Sequence, residues 1–185
     1  MNLEEYFSGV WKQAPDSKYK LTGMDLLNKI HPGETVLDVG CGYNQFKSHF
    51  GERLLGIDPY NDCADLKVAI EDLDWLDEEF DVGLALGSIN FGNELRIRIQ
   101  VTNFVDQIKP GGRIYWRQNP GIADHPFEGV KDIDFFHWTF AKNIQMADDN
   151  GCEVVHLEWD TGNRIYAEWR KGYELSSNLN TEEYT

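Results

Sequence analysis

The sequence predicts an α/β protein with a mostly parallel sheet covered on both faces, and three observations carry that prediction. Short apolar, β-branched runs alternate with longer amphipathic segments of helical period. The first run ends in a glycine-rich turn, Gly40-Cys41-Gly42. The last two runs are joined by turn formers, Asp160-Thr161-Gly162-Asn163, which read as the bend of an antiparallel hairpin.

Thr35–Gly40 (TVLDVG) closes on glycine and is predicted as a buried strand, with Gln45–His49 as a short helix after it. Arg53–Asp58 (RLLGID) is a second strand, stopped by Pro59. Asp65–Ile70 (DLKVAI) is a third with a shorter apolar pattern, Phe80–Leu86 (FDVGLAL) a fourth and Gly112–Gln118 (GRIYWRQ) a fifth. Between the last two, Leu95, Ile99, Val101, Phe104, Val105 and Ile108 make nearly a 3.6-residue stripe. Asn93–Lys109 is therefore predicted helical, ended by Pro110-Gly111-Gly112. Phe136, Phe140, Ile144 and Ala147 repeat the spacing over Phe136–Asn150, before Gly151. Glu153–Trp159 and Arg164–Arg170 are the hairpin strands. The polar end, 176–185, is expected to fray, leaving 1–175 as a single domain.

The chain has 185 residues, enough to bury a core without disulfides or metals. Its 32 acidic against 17 basic residues give a net charge of −15. Nucleic-acid affinity rests on Lys and Arg neutralising phosphates, so this balance argues against nucleic acid as a partner. No apolar run approaches the roughly 20 residues of a membrane span. The start, MNLEEYFSGV, is acidic and aromatic, unlike a signal peptide. Cys41, Cys63 and Cys152 are widely spaced, with no CxxC pair, and read as the reduced thiols of a cytoplasmic protein. No metal-ligand pattern is present.

The chemistry concentrates at the end of the first strand, Val36-Leu37-Asp38-Val39-Gly40-Cys41-Gly42. In open α/β sheets the ligand crevice lies beyond the carboxyl ends of the strands. Glycines there turn the backbone sharply and let a ligand approach closely. Asp58 closes the second strand 18 residues after Gly40, where an acid typically accepts hydrogen bonds from ribose hydroxyls. A dinucleotide fingerprint would read G-x-G-x-x-G. Here Tyr43, Asn44 and Gln45 follow Gly42, so the third glycine is missing. Asp38 can hold the loop's own amides or meet a cationic ligand, but opposes an anionic dinucleotide. An NAD-dependent or nucleotide-sugar enzyme is accordingly disfavoured.

Asp38-x-Gly40-x-Gly42, Asp58 after the second strand and Lys109-Pro110-Gly111-Gly112 before the fifth resemble the class I S-adenosylmethionine-dependent methyltransferases. The resemblance spans Leu26–Lys171 and includes the hairpin after the Asn150–Val154 bend. It implies a Rossmann-like three-layer αβα sandwich whose seven-stranded, mostly parallel sheet has an antiparallel last strand. It also implies S-adenosylmethionine as cofactor and S-adenosylhomocysteine as product. The cofactor-binding residues it implies begin with Asp38, Gly40, Cys41 and Gly42 at the methionine part. Asp58 and Pro59 follow at the ribose, and Leu86 and Ser88 beside the sulfonium. Glu71 or Asp72 would lie at the adenine, with Asp72 preferred and the Ile70 amide as an alternative. The chain departs from the family in having Asn44 at a frequent third glycine and Ala69 at a common acidic position. Asn90-Phe91-Gly92 lacks the prolines of amino-methyltransferases that act on nucleic-acid bases. Asn90 is read either as a loop cap or as a substrate contact.

Methyl transfer needs mainly alignment and desolvation of the acceptor, and a base only where the acceptor must lose a proton. Asp124, His125 and His137 are candidate bases, each with a bland reading as a solvated or packed side chain; no catalytic residue is assigned. Trp116, Trp138, Trp159 and Trp169 read as core. Tyr6, Phe7, Trp11 and Tyr19, within the 1–25 segment, form either a lid over the cofactor mouth or packing against the sheet. The function expected is methyl transfer to a small-molecule acceptor, with specificity carried by Met1–Lys20 and Asn119–Asp134. The alternative is a catalytically silent S-adenosylmethionine-binding module acting through a protein partner. Arg117 and Lys131 could meet an anionic acceptor or form surface ion pairs. The sequence leaves the oligomeric state open.

Overall fold

A computed structural model describes residues 2–12, 20–121 and 133–173 of the chain. Among the described residues six strands form one sheet: β1 Val36–Val39, β2 Leu54–Ile57, β3 Phe80–Leu86, β4 Ile108–Gln118, β5 Cys152–Asp160 and β6 Arg164–Lys171. Their spatial order is β2-β1-β3-β4-β6-β5. The first four are mutually parallel, with Val36 opposite both Leu54 and Val82, while β6 runs antiparallel to both β4 and β5. The switch from β2-β1 to β3-β4 opens a crevice at the carboxyl ends of β1 and β3.

The sheet has six strands rather than the expected seven, because Asp65–Ile70 does not extend beyond a single bridge from Leu66 to Ile57. The outer edge of β2 is consumed locally at Gly56. Its N–H donates to the Asp65 carboxylate at 2.8 Å, and its carbonyl accepts from the amides of Asp65 and Leu66. Pairing has nowhere to continue along a four-residue strand, and the chain turns into a 3₁₀ turn at Ile70–Asp72. At the other boundary β4 begins at Ile108, four residues earlier than expected. Ile108 pairs with Phe80 and Arg113 with Val82, so Lys109–Gly112 bulges opposite Asp81.

One sheet face packs under the helices α3 Glu94–Asp106 and α4 Phe140–Asp149, and includes Leu37, Ile57 and Trp116. The other carries Val36, Leu54, Val82, Leu84, Tyr115 and Tyr166 against Leu26, Ile30, Phe46 and Phe50, the last from α2 Lys47–Phe50. Both long helices are capped as their sequences dictate, Asn93 accepting from Arg96 N and Thr139 from Lys142 N. Their buried stripes differ from the apolar spacing. In α3 the core face is Ile97, Val101, Phe104 and Val105, leaving Leu95 and Ile99 exposed. In α4 Ile144 is exposed and Asn143 fully buried. Asn143 donates to Gln118 Oε1 at 2.6 Å and accepts from Trp169 Nε1 at 2.9 Å, so a satisfied amide holds a core position that apolar counting skips. Trp116, Trp138 and Trp169 are fully buried, whereas Trp159 is exposed and packs on Phe140. The three cysteines are free, and Cys41 and Cys152 are buried. Among the described residues no helix is long and apolar enough to cross a membrane.

Candidate functional site

The chain leaves β1 through Gly40 and Gly42, both at positive φ (69° and 56°), with Asn44 also at +54°. Asn tolerates the left-handed region better than other side-chain residues, so Asn44 keeps the turn that a third glycine would have made. Its amide packs against Gly56 and donates to the Cys63 carbonyl at 3.1 Å. Gly40 is required for a second reason. A Cβ there would lie 2.2 Å from the Ser88 Cβ, because the ends of β1 and β3 approach that closely.

The amides of this loop are spent internally. Those of Gly40 and Cys41 donate to the Ile57 carbonyl, that of Asn44 to the Cys41 carbonyl, and that of Gly42 to Asp58 Oδ2 at 3.0 Å. Asp58 Oδ1 accepts from the amides of Tyr60 and Asn61 at 2.8 and 3.0 Å. This buried carboxylate thereby ties the glycine loop to the turn after β2. Three of its roughly four lone-pair sites are used, leaving room for one further donor. Beneath the loop, Asp38 is buried, and that burial, reinforced by the Asp58 charge, raises its carboxyl from 3.8 to about 7. The same burial, and the charge of Asp38, push the Cys41 thiol far up, so it is not a reactive thiolate.

A cavity of about 490 Å³ opens above these residues. Of the positions expected at the cofactor, Gly40, Gly42, Asp58, Pro59, Glu71, Leu86 and Ser88 line it. Asp38 and Cys41 are buried and outside the lining, and Asp72 is exposed and also outside it. Between the two candidate adenine acids the structure thus brings Glu71, not Asp72, to the cavity. Glu71 accepts from Arg96 Nε at 2.8 Å and from Gln100 Nε2 at 2.9 Å, and Asn103 donates to its carbonyl, which pins the Ile70–Asp72 turn to α3. Ser88 Oγ is buried with no hydrogen-bond partner among the described residues.

Residues of the N-terminal segment contribute to the cavity lining. The helical turn α1 (Leu3–Glu5) runs into a π-helical stretch, Tyr6–Val10. Phe7 stacks on Tyr60 with ring planes 6° apart, and Trp11 stacks on Tyr43 at 22°. A Cβ on Gly42 would meet the Trp11 ring at 2.9 Å. Leu3, Tyr6, Phe7 and Trp11 all line the cavity; Tyr19 falls outside the described residues. Of the candidate bases, His137 is exposed and off the cavity lining, and Asp124 and His125 are outside the described residues, as is Lys131. Asn90 is a buried brace: its Oδ1 accepts from Asn119 N and its carbonyl from Phe136 N, both at 2.8 Å.

The far wall is made by Arg117 and Asn119, both singled out in the sequence, together with Thr161, Gly162 and Arg164, which sequence reasoning missed, as it missed the polar pair Arg96 and Gln100. The far wall was recoverable in principle. An antiparallel β6 beside β4, with Gln118 opposite Ile165, must bring the β5–β6 turn to the carboxyl end of β4.

No protein-family model matches this chain, and no curated protein matches it. Solved structures do. A putative S-adenosylmethionine-dependent methyltransferase from Listeria monocytogenes superposes with a TM-score of 0.61 at 15% identity, over 80% of this chain and 96% of that one. The 1,6-didemethyltoxoflavin-N1-methyltransferase of Burkholderia thailandensis, solved with 1,6-didemethyltoxoflavin and S-adenosylhomocysteine, gives 0.61 at 15%, over 75% and 71%. The [4+2]-cyclase SpnF gives 0.62 at 12%, over 80% and 79%. The chain therefore has the class I S-adenosylmethionine-dependent methyltransferase fold. At these identities the likeness is one of fold, and the cyclase among the neighbours leaves the reaction to be argued from the site.

Proposed function

We propose that this chain binds S-adenosylmethionine in the cavity above the Gly40–Gly42 loop and transfers its methyl group to a small-molecule acceptor. The observation that carries the reading is the use of the loop's amides. A dinucleotide pyrophosphate needs unspent N–H groups at a helix start. Here the amides of Gly40, Cys41, Gly42 and Asn44 are already bonded, α2 has four residues, and a carboxyl group lies buried beneath the turn. A cofactor with a cationic centre and no phosphate fits such a loop. The remaining features suit it as well: one spare acceptor site on Asp58 for a ribose hydroxyl, the apolar Ile57, Val68 and Ile70 for an adenine, and the orphaned Ser88 hydroxyl for a polar group of the ligand.

When bound, the cofactor supplies an electrophilic methyl group on a sulfonium. The chain's own contribution is placement and dryness. Asp58 fixes the loop, Leu86 and Ser88 border the reacting region, and Phe7, Trp11 and Phe91 exclude water. No histidine lines the cavity among the described residues, and Asp58 and Glu71 are both already hydrogen-bonded. That suits an acceptor whose nucleophile needs no base. It equally favours the second reading, a binding module without turnover that acts through a protein partner.

Calorimetric titration with S-adenosylmethionine and S-adenosylhomocysteine, with NADH as control, tests the cofactor. The expected result is saturable binding of the first two only, weakened at least tenfold in Asp58→Ala, the scale of one hydrogen bond to a charged group. NADH binding without S-adenosylhomocysteine binding would overturn the reading. Release of S-adenosylhomocysteine in an acceptor screen separates the enzyme from the silent module.

A further inference from the structure

Among the buried residues of α3, Gln100 alone is polar; the others are Ile97, Val101, Phe104 and Val105. It is 8% exposed and lines the cavity. Burying a primary amide costs free energy unless both of its ends are bonded. One end is satisfied: Nε2 donates to Glu71 Oε1 at 3.1 Å and to Glu71 Oε2 at 2.9 Å. The other is not, because Oε1 is buried with no hydrogen-bond partner among the described residues. Turning the amide over would set its oxygen against a carboxylate, so Glu71 dictates which end is left over.

Glu71 has no comparable capacity left. Its Oε1 accepts from Arg96 Nε and Nη2 at 2.8 and 2.6 Å as well as from Gln100, and its Oε2 takes the second Gln100 contact. The roughly four lone-pair sites of a carboxylate are thereby matched. Asp72 lies outside the cavity lining. The acids of the Ile70–Asp72 turn therefore leave the reading of a ligand at this end to the Gln100 carbonyl. The wall beside it is apolar, made by Ile57, Val68 and Ile70. An aromatic heterocycle with an N–H donor on its edge suits such a wall and its one fixed acceptor. A heterocycle with a carbonyl at that edge would bring two oxygens together and leave both unmatched.

We propose that the Gln100 side-chain carbonyl accepts a hydrogen bond from the exocyclic amino group of the cofactor's adenine and so selects an aminopurine over an oxopurine. This rests on the S-adenosylmethionine-binding reading for the identity of the ligand. Glu71 is then a positioning residue, which acts through the Gln100 amide rather than on the base itself. The selection comes from an uncharged group whose orientation is fixed before the ligand arrives, so little ordering is left to be done on binding.

The test compares S-adenosylhomocysteine with S-inosylhomocysteine, which differ at that purine edge, by calorimetric titration into the full chain. Adenosine and inosine, followed by protein-observed NMR, serve as shorter probes. The parent chain should bind each adenine compound at least about tenfold more tightly than its hypoxanthine counterpart, the scale of one hydrogen bond made against one buried acceptor left unmatched. Gln100→Met, similar in length and volume, should bring the two affinities within about threefold of each other. Glu71→Gln, which lets the amide turn either way, should give an intermediate ratio. A merely structural role for Gln100 would weaken both compounds alike, and a ratio unchanged in Gln100→Met overturns the proposal. If Gln100→Met does not fold, an unchanged ratio in Glu71→Gln overturns it instead. Equal binding of the two homocysteine compounds by the parent chain would remove the role of Gln100 and leave the cofactor reading standing. Gln100-dependent selection of adenosine without S-adenosylhomocysteine binding would remove the methyltransferase reading and leave the base site standing. Absence of binding by all four compounds would overturn both.

Discussion

Replacing Asp38 with Asn removes a buried charge while keeping the side chain's size. In the native chain, burial, reinforced by the nearby Asp58 charge, raises the Asp38 carboxyl from 3.8 to about 7. Below pH 4 the group is protonated in both the folded and the unfolded chain and contributes no pH dependence. Between pH 4 and 7 the unfolded chain releases its proton and the folded chain keeps it, so stability falls as pH rises. Above pH 7 the folded state carries the whole burden, about 4 kcal/mol. The Asn amide has no such titration. The stability of Asp38→Asn relative to the parent should therefore rise with pH by about 1.4 kcal/mol per pH unit across that window, or about 3 kcal/mol between pH 5 and pH 8. Urea unfolding followed by tryptophan fluorescence at the two pH values measures it. Taking the difference between variant and parent cancels carboxylates shifted the other way, such as Asp81, which Lys109 and Thr35 hold low. A difference that is the same at pH 5 and pH 8 would mean that Asp38 is ionised throughout, and the account of the loop would fail.

Gly40→Ala should lower stability by about 2–4 kcal/mol, combining a positive φ with the 2.2 Å clash on Ser88. Adding Ser88→Gly should recover the steric part of the lost melting temperature, and no recovery would refute the packing argument. Asp160→Ala strands the amides of Lys20, Leu21 and Thr161 and removes the carboxylate 3.4 Å from Arg117, and should cost about 3–5 kcal/mol in urea unfolding. A cost under about 1 kcal/mol would show that the buried carboxylate does not hold the segment at Lys20–Thr22. Trp11→Ala removes the ring over Gly42 and should weaken S-adenosylhomocysteine binding by about 1 kcal/mol, roughly fivefold, with the melting temperature little changed. Unchanged affinity would leave the N-terminal segment as surface packing rather than a cover.

The elements that local patterning controls were legible in the chain. Thr35–Gly40 and Phe80–Leu86 are strands because β-branched and apolar residues fill most positions of a doubly covered sheet, and β1 and β3 lie within those ranges. The hairpin turn at Thr161–Asn163 follows from turn chemistry, with Gly162 and Asn163 both at positive φ. Gly40, Gly42 and Asp58, singled out in the sequence by their place at strand ends, line the cavity. What the sequence left open depended on partners distant in the chain. Whether Asp65–Ile70 would be a strand was decided by the Asp65 carboxylate occupying the edge of β2. Asn143 entered the core only because Gln118 and Trp169 satisfy its amide. The choice between Glu71 and Asp72 fell to Arg96 and Gln100 on α3, which hold one acid of an adjacent pair toward the cavity. Periodicity and turn residues act over a few positions, so one sequence suffices to read them. Edge capping, buried amide pairing and the composition of a cavity wall join residues tens of positions apart, and only the folded chain brings those groups within hydrogen-bonding distance.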